Sequence, residues 1–398
     1  MEHKVLFTAS TYSHIANFHR PYLREFQRLG WTVDVACGGD KKHLPEARRL
    51  IQIPFEKSMT SPKNLAAVRI LRQEIRQERY DLISCHTSLA SFFVRLAVMG
   101  MRRRPKVACI SHGYLFDENT PRLKRLLLAG AEQWTAPVTD LLMTMNAWDD
   151  AYAFEHQLGD QVVKIPGMGV DFSHLRRYSR QEGILLRNHL GFAPTDFLLI
   201  YPAEFSARKS QKDLIRAMQY LPAQVGLLLP GEGALRKSCM ELADSLGLAD
   251  RVVFPGYVTD MPLWYAAADA AASSSRSEGL PFNVMEALYF GLPAVVSNVK
   301  GNSDLVQDGR NGYLFSYGDS RECAEKIERL LRSGPLMERM RGAAKAQVHQ
   351  YDLSVVFPQV MAHYGSLVPL EEPVTHSGHL AETAGDNHQI ETKENEGF

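Results

Sequence analysis

The chain is poor in cysteine, and none of the five present is spaced as Cys-x-x-Cys. Cys37, Cys85, Cys109, Cys239 and Cys323 are scattered and odd in number. This argues against a disulfide framework and fits buried thiols in a reducing compartment. No apolar run approaches the roughly 18–20 residues needed to span a bilayer. Residues 1–4 hold no apolar run with a cleavage site, so a cytoplasmic location is expected, with peripheral membrane contact left open. The first strand pattern is not followed by Gly-x-Gly-x-x-Gly, which disfavours a nicotinamide or flavin role. There is no Asp-x-Asp motif and no His/Cys cluster at ligand spacing along the chain. No metal and no other cofactor is therefore expected. Formal net charge is zero, and aromatics do not interleave with the basic residues, so nucleic acid is disfavoured as a partner.

Zero net charge hides an uneven distribution. Residues 1–170 hold 23 Lys and Arg against 17 Asp and Glu, a surplus of +6. Residues 371–398 hold seven acids and one Lys, or −6, so the stretch between is balanced. Two basic runs stand out in the first half: Arg102-Arg103-Arg104-Pro105-Lys106, and PRLKRLLL at 121–128, amphipathic if helical. A solvated face is the bland reading of such a run and usually wins. The alternative is attraction to an anionic membrane, about 1 kcal/mol per basic residue near it.

With 398 residues the chain is long for one domain and comfortable for two. Short apolar runs at 5–9, 31–37, 51–53, 81–84, 106–110, 141–145 and 162–165 alternate with helical stripes at 18–29, 62–79, 88–99, 121–133 and 149–157. Residues 10–16 read as a loop. A turn-rich joint, PGMGVD at 166–171, reads as the interdomain linker. Alternation then resumes with strands at 197–202, 225–229, 252–254, 270–274 and 293–297, a turn and strand over 309–315, and late helices at 321–332, 335–349 and 354–367. Thr259 or Asp260 is placed to cap a short helix ending at Ala267. Such alternation gives parallel sheets with helices on both faces, which bind ligands at the carboxyl ends of their strands. His14, His86 and His112 all fall at strand exits. A lone histidine is more often structural; three facing one crevice raise the weight of a functional one.

The stretch SSSRSEGLPFNVMEALYF at 273–290 carries the clearest chemistry. A small-residue strand end opens into a loop with Glu278, Gly279 and Pro281, and a helix starts near Phe282. Glu278 and Glu286 are separated by seven residues. The helix start offers unpaired N–H groups and the positive end of a dipole, an anion site fit for a diphosphate. Two glutamates alone would read as solvated carboxylates. Their flanking Gly-Leu-Pro, and the Gly-x-Pro of Gly291 to Pro293, favour the functional reading.

This arrangement resembles the Glu-x7-Glu element of retaining glycosyltransferases of the two-Rossmann (GT-B) type. The wider stretch SRSEGLPFNVMEALYFGLPAVVSNVKGNSDLVQDGRNGYLF resembles glycosyltransferase family 4. The opening, VLFTASTYSHIANFHRPYLREFQRLGWTVDVAC, is similar to the EpsD-like subgroup that builds bacterial exopolysaccharide and capsule. The resemblance runs from about Val5 to about Leu367. It implies two Rossmann-like domains whose parallel sheets face a cleft: an acceptor-side domain at 1–168 and a sugar-nucleotide domain at 169–352. A helix at 353–368 would cross back to the first domain, and 369–398 would be a flexible acidic tail. Lys209 falls where the family neutralises the donor diphosphate, with the amides of Gly279, Leu280, Pro281, Phe282, Asn283 and Val284 as further candidates. Glu286 would hold the ribose, and Glu278 and His112 the donor sugar. Gly231 and Gly233 resemble a loop near the nucleotide, and Tyr257 and Val258 would hold the nucleobase edge. The chain departs from the family pattern at Ser13-His14, where many members have a Gly-Gly pair. It departs again at Met168, in place of asparagine, and at Glu204, where an arginine is common.

The resemblance implies a retaining, metal-independent transfer from a nucleotide-diphosphate sugar, by default a uridine one, to a glycan hydroxyl on an acceptor expected to be lipid-linked. The departing phosphate would help remove the acceptor proton, so no protein nucleophile is assigned. A glycosidase-like role for Glu278 is weaker than donor positioning. A GT-B epimerase or phosphorylase lacks a visible cofactor site. A degenerate subunit that partners an active transferase is the non-enzymatic alternative, and Glu204 is its main support.

Overall fold

A computed structural model describes residues 3–39, 43–56, 59 and 61–370. The first sheet is built of seven strands: β1 (Lys4–Ala9), β2 (Thr32–Cys37), β3 (Arg49–Gln52), β4 (Leu82–His86), β5 (Lys106–Ser111), β6 (Leu141–Thr144) and β7 (Gln161–Lys164). The second has six: β8 (Phe197–Ile200), β9 (Val225–Pro230), β10 (Val252–Gly256), β11 (Ala270–Ser273), β12 (Ala294–Ser297) and β13 (Gly312–Phe315). The strand orders are β3-β2-β1-β4-β5-β6-β7 and β10-β9-β8-β11-β12-β13. Every strand pairing is parallel. The fold is thus two Rossmann-like α/β domains. The central strands are buried on both faces, which is why they read as unbroken apolar runs rather than alternating ones.

In each sheet the strand order reverses at one place, β1 beside β4 and β8 beside β11. Such a switch point leaves a crevice at the carboxyl ends, because the crossovers on either side leave it in opposite directions. The segments that leave it carry His14, His86, Lys209 and Glu278.

Several local expectations change. Residues 10–16 are not all loop: a helix covers Tyr12–Phe18 and buries Ile15. The stripe expected over 18–29 begins only at Arg20, because the chain leaves helical geometry at His19 and Pro21 restarts it as Arg20–Arg28. Neither Thr259 nor Asp260 caps the helix Met261–Ala267; the Asp260 carboxylate takes the Tyr178 hydroxyl instead.

The chain passes between the domains twice, and the two crossings touch. Val170 N donates to Tyr351 O and Leu353 N donates to Val170 O, both at 2.9 Å. A Cβ on Gly169 would lie 2.7 Å from Leu353 Cα, so the joint has room only for glycine there. The final helix, Leu353–Gly365, packs on the first domain. Its Tyr364 hydroxyl is 2.7 Å from Ser84 Oγ, and its ring meets Phe7 and Phe26 edge-on. From residue 371 on, the expected tail lies outside the described residues. Among the described residues no helix is long and apolar enough to cross a membrane.

Candidate active site

The two switch points face one another across a cavity of about 740 Å³. His14, Phe18 and His112 line it from the first domain; Glu204, Lys209, Glu278 and Phe282 line it from the second. The domains come close enough for this because two glycines meet across the cleft. A Cβ on Gly279 would lie 1.9 Å from His112 O, and one on Gly113 2.8 Å from Gly279 Cα. A side chain at either position would push the walls apart. Within the second wall a Cβ on Gly301 would lie 2.7 Å from Gly279 O.

On the second wall Glu278 is buried and ion-paired twice. Lys209 Nζ donates to Oε1 at 2.6 Å and an Arg208 Nη to Oε2 at 2.7 Å. Ser275 Oγ also donates to Oε1, at 2.5 Å. Burial by itself would raise the Glu278 pKa, but Lys209 and Arg208 outweigh it and hold the carboxyl below its ordinary value. For Lys209 burial prevails over the attraction of Glu278, and its pKa is lowered. An ammonium has three donors, so the bond to Glu278 leaves Lys209 able to take an anion as well.

Gly279, Leu280, Pro281, Phe282 and Asn283 line the cavity at the start of the helix Phe282–Tyr289. Val284 does not serve as expected: it is buried, and its N–H donates to Pro281 O at 3.2 Å. Pro281 has no N–H. That leaves the amides of Gly279, Leu280, Phe282 and Asn283 as candidates for an anion. Glu286 lies outside the cavity lining, where Tyr265 donates its hydroxyl to Oε2 at 2.9 Å. Burial raises the Glu286 pKa against that hydrogen bond.

Gly231, Gly233, Tyr257 and Val258 also fall outside the lining. Both glycines have a packing reason of their own. A Cβ on Gly231 would lie 2.1 Å from Ala203 O, and one on Gly233 2.5 Å from Phe205 O. Both have positive φ, +142° and +150°. Tyr257 is 78% exposed.

On the first wall the structure gathers four histidines, one of which the sequence pattern gives no reason to include. His14 Nε2 stands 3.2 Å from His112 Nε2, and His86 Nδ1 stands 3.4 Å from the same atom. His19 stacks on His86 with ring centroids 3.6 Å apart. Burial pushes the His14 pKa down to about 4. Burial, and then mutual repulsion of the protonated rings, lowers His19, His86 and His112 well below the ordinary imidazole value. His19 was missed because it sits between two helical stripes and looks like part of neither.

A second missed group joins the walls. Lys300, from the loop after β12, is buried in the first domain. Its Nζ donates to Tyr114 O and Phe116 O at 2.9 Å each and to Asp149 Oδ1 at 2.8 Å. Asn146 caps the helix Ala147–Glu155 through the Asp149 N–H and also donates to Gly279 O at 3.2 Å. Asn-x-x-Asp is a helix-start signal that the reading of this helix as beginning at 149 did not use, and the contact with the other domain has no local signal.

The model of Glycosyl transferases group 1 matches residues 185–347, and that of Glycosyltransferase Family 4 matches residues 22–161. A putative glycosyltransferase EpsD of Bacillus subtilis is 36% identical over 345 residues, covering 85% of this chain and 90% of that protein. The UDP-Gal:alpha-D-GlcNAc-diphosphoundecaprenol alpha-1,3-galactosyltransferase of Escherichia coli is 23% identical, covering 77% and 82%. The crystal structure of HepE from Anabaena in complex with UDP and glucose superposes with a TM-score of 0.74. It is 23% identical, and the match covers 92% of this chain and all of that one.

Proposed function

The chain belongs to glycosyltransferase family 4, with the GT-B fold, and from that premise we propose a retaining transferase. It moves a sugar from a nucleotide-diphosphate donor, taken to be a UDP-sugar, to a hydroxyl of a lipid-linked glycan in exopolysaccharide or capsule synthesis. The observation that carries the reading is the second wall: a lysine and the start of a helix face one cavity beside a buried, ionised glutamate. Lys209 and the amides of Gly279, Leu280, Phe282 and Asn283 receive the diphosphate. They stabilise the charge that grows on it as the glycosidic bond breaks. Glu278 and His112, brought together by the Gly113–Gly279 contact, hold the donor sugar. Glu286 reaches the ribose, and Gly231, Gly233, Tyr257 and Val258 lie toward the base. The charge on the diphosphate is met by these groups without a metal, and the acceptor approaches from the first domain.

Two neighbours support the donor and acceptor classes. HepE was solved with UDP and glucose, and the Escherichia coli relative is named for a diphosphoundecaprenol acceptor. The helix Arg122–Thr135 supports membrane contact. Leu123, Leu126, Leu127 and Trp134 are each at least 60% exposed on it, beside Arg122, Lys124 and Arg125. Lys124 also lines the cavity, so this face adjoins the cleft. The other basic run is partly absorbed structurally, since Arg104 and Lys106 pair with Asp140.

The test is a thermal-shift screen against UDP, other nucleoside diphosphates and their sugars, with Lys209→Ala and Glu286→Ala alongside. A ligand at a hundred times its Kd stabilises by about 2.7 kcal/mol. A shift with UDP that both variants lose supports the reading. No shift with any nucleotide transfers the argument to the degenerate subunit, for which Glu204 already speaks.

A further inference from the structure

The histidine cluster on the first wall has no carboxylate hydrogen-bonded to it among the described residues, and the donor-binding reading uses only His112 from it. One ligating nitrogen from each of His14, His19 and His112 lies within 4.8 Å of the others. His19 is fully buried, and neither of its ring nitrogens has a hydrogen-bond partner in the protein. Buried polar atoms are nearly always paired, so two orphans on one ring ask for a partner that the chain does not supply.

A transition-metal ion is such a partner. Zinc binds imidazole nitrogen at about 2.0–2.1 Å, so ligands at two corners of a tetrahedron stand about 3.3–3.4 Å apart. His14 Nε2 and His112 Nε2 are separated by 3.2 Å. His86 Nδ1, 3.4 Å from His112 Nε2, keeps the same spacing. His86 is oriented from behind: its Nε2 is 2.9 Å from Ser84 Oγ, which in turn meets the Tyr364 hydroxyl. Outer contacts of this kind fix the rings around a metal.

We propose that His14, His19 and His112, backed by His86, form a site for a divalent transition metal of the zinc class. His14 and His112 line the cavity, so the remaining coordination position faces the cleft. Its ligand class is an oxygen, such as that of water. The site stands on the wall opposite Lys209, so it is separate from the diphosphate. It shares His112 Nε2 with the donor-sugar role, and the two uses of that atom exclude each other at any one moment.

Metal binding is measured directly, so the result does not depend on whether a transferase activity is found. The full chain, stripped with a chelator, is titrated with Co²⁺ and then with Zn²⁺. The expected result is one Co²⁺ per chain with the visible bands of tetrahedral nitrogen coordination, displaced by Zn²⁺. His14→Ala and His19→Ala should each weaken binding by more than the roughly 10–100-fold that loss of an outer partner costs. His14 is at the cavity surface, so its variant carries the test if His19→Ala does not fold. The tail histidines His376, His379 and His388 could also ligate, and the variant lacking all three should bind as before. Absence of the bands in the unaltered chain, their persistence in His14→Ala, or their loss only in the tail variant would each overturn the proposal.

Discussion

The two walls of the cleft have the same origin and opposite electrostatics. Each is the carboxyl edge of a doubly wound parallel sheet at its switch point. The first wall presents imidazoles that burial keeps neutral. The second presents a carboxylate held ionised by two cations, next to a helix start. The architecture therefore decides where a ligand sits, and a few side chains decide which ligand. A diphosphate suits the wall with fixed positive charge. A neutral hydroxyl compound suits the other.

The largest expected effect comes from breaking the joint between the walls. Lys300→Met leaves Asp149 buried without its ion-pair partner, which should cost about 3–5 kcal/mol of stability in urea unfolding. Replacing Asp149 by Asn in the same chain should recover part of that loss. If the single variant unfolds like the parent, Lys300 does not hold the walls together. Next, Lys209→Ala should lower kcat/KM for the sugar-nucleotide donor by roughly 100–1000-fold, the scale for losing one preorganised charge stabiliser. An unchanged rate would make Lys209 merely the counter-ion of Glu278.

Gly279→Ala puts a methyl group where His112 O already lies and should cost about 1–3 kcal/mol through overpacking. Transfer should fall while UDP still binds the second wall, which a paired thermal-shift and activity assay will separate. The smallest effect concerns pH. The Glu278 carboxyl is held below its ordinary 4.5 in the folded chain. Between 4.5 and its folded pKa, the unfolded chain therefore binds the extra proton. The stabilisation from Glu278 is complete above 4.5 and is lost as pH falls through the folded value. Below pH 4.5 the parent should lose stability faster than Glu278→Gln as pH falls through the folded value. Parallel curves would remove the electrostatic contrast between the walls.

Much of the second wall was legible along the chain because its parts lie close together in sequence. Glu278, the Gly-Leu-Pro turn and the helix start occupy one stretch, and a strand followed by a small-residue loop and a helix has one way to fold. Even there, burial was not legible. Val284 spends its N–H inside the helix and Glu286 is tied to Tyr265, facts that depend on neighbours far away in sequence. The first wall was legible only in pieces. His14, His86 and His112 could be placed at strand exits, but their meeting with His19 depends on how three separate βα units stack. Lys300 gave no signal, since one lysine in a loop looks solvated until another domain covers it.

The sequence by itself determined the elements, their alternation and so the two parallel sheets, because apolar period, turn residues and helix starts are local properties of the chain. It also determined which residues stand at the carboxyl ends of strands. The tertiary structure alone decided which of those residues share a site. Two glycines let the domains touch at 113 and 279, and that contact sets the His112 backbone against Gly279, next to Glu278. Burial in the packed walls then fixed the charge states, neutral for the histidines and ionised for Glu278, through desolvation and pairing between groups up to 98 residues apart in sequence.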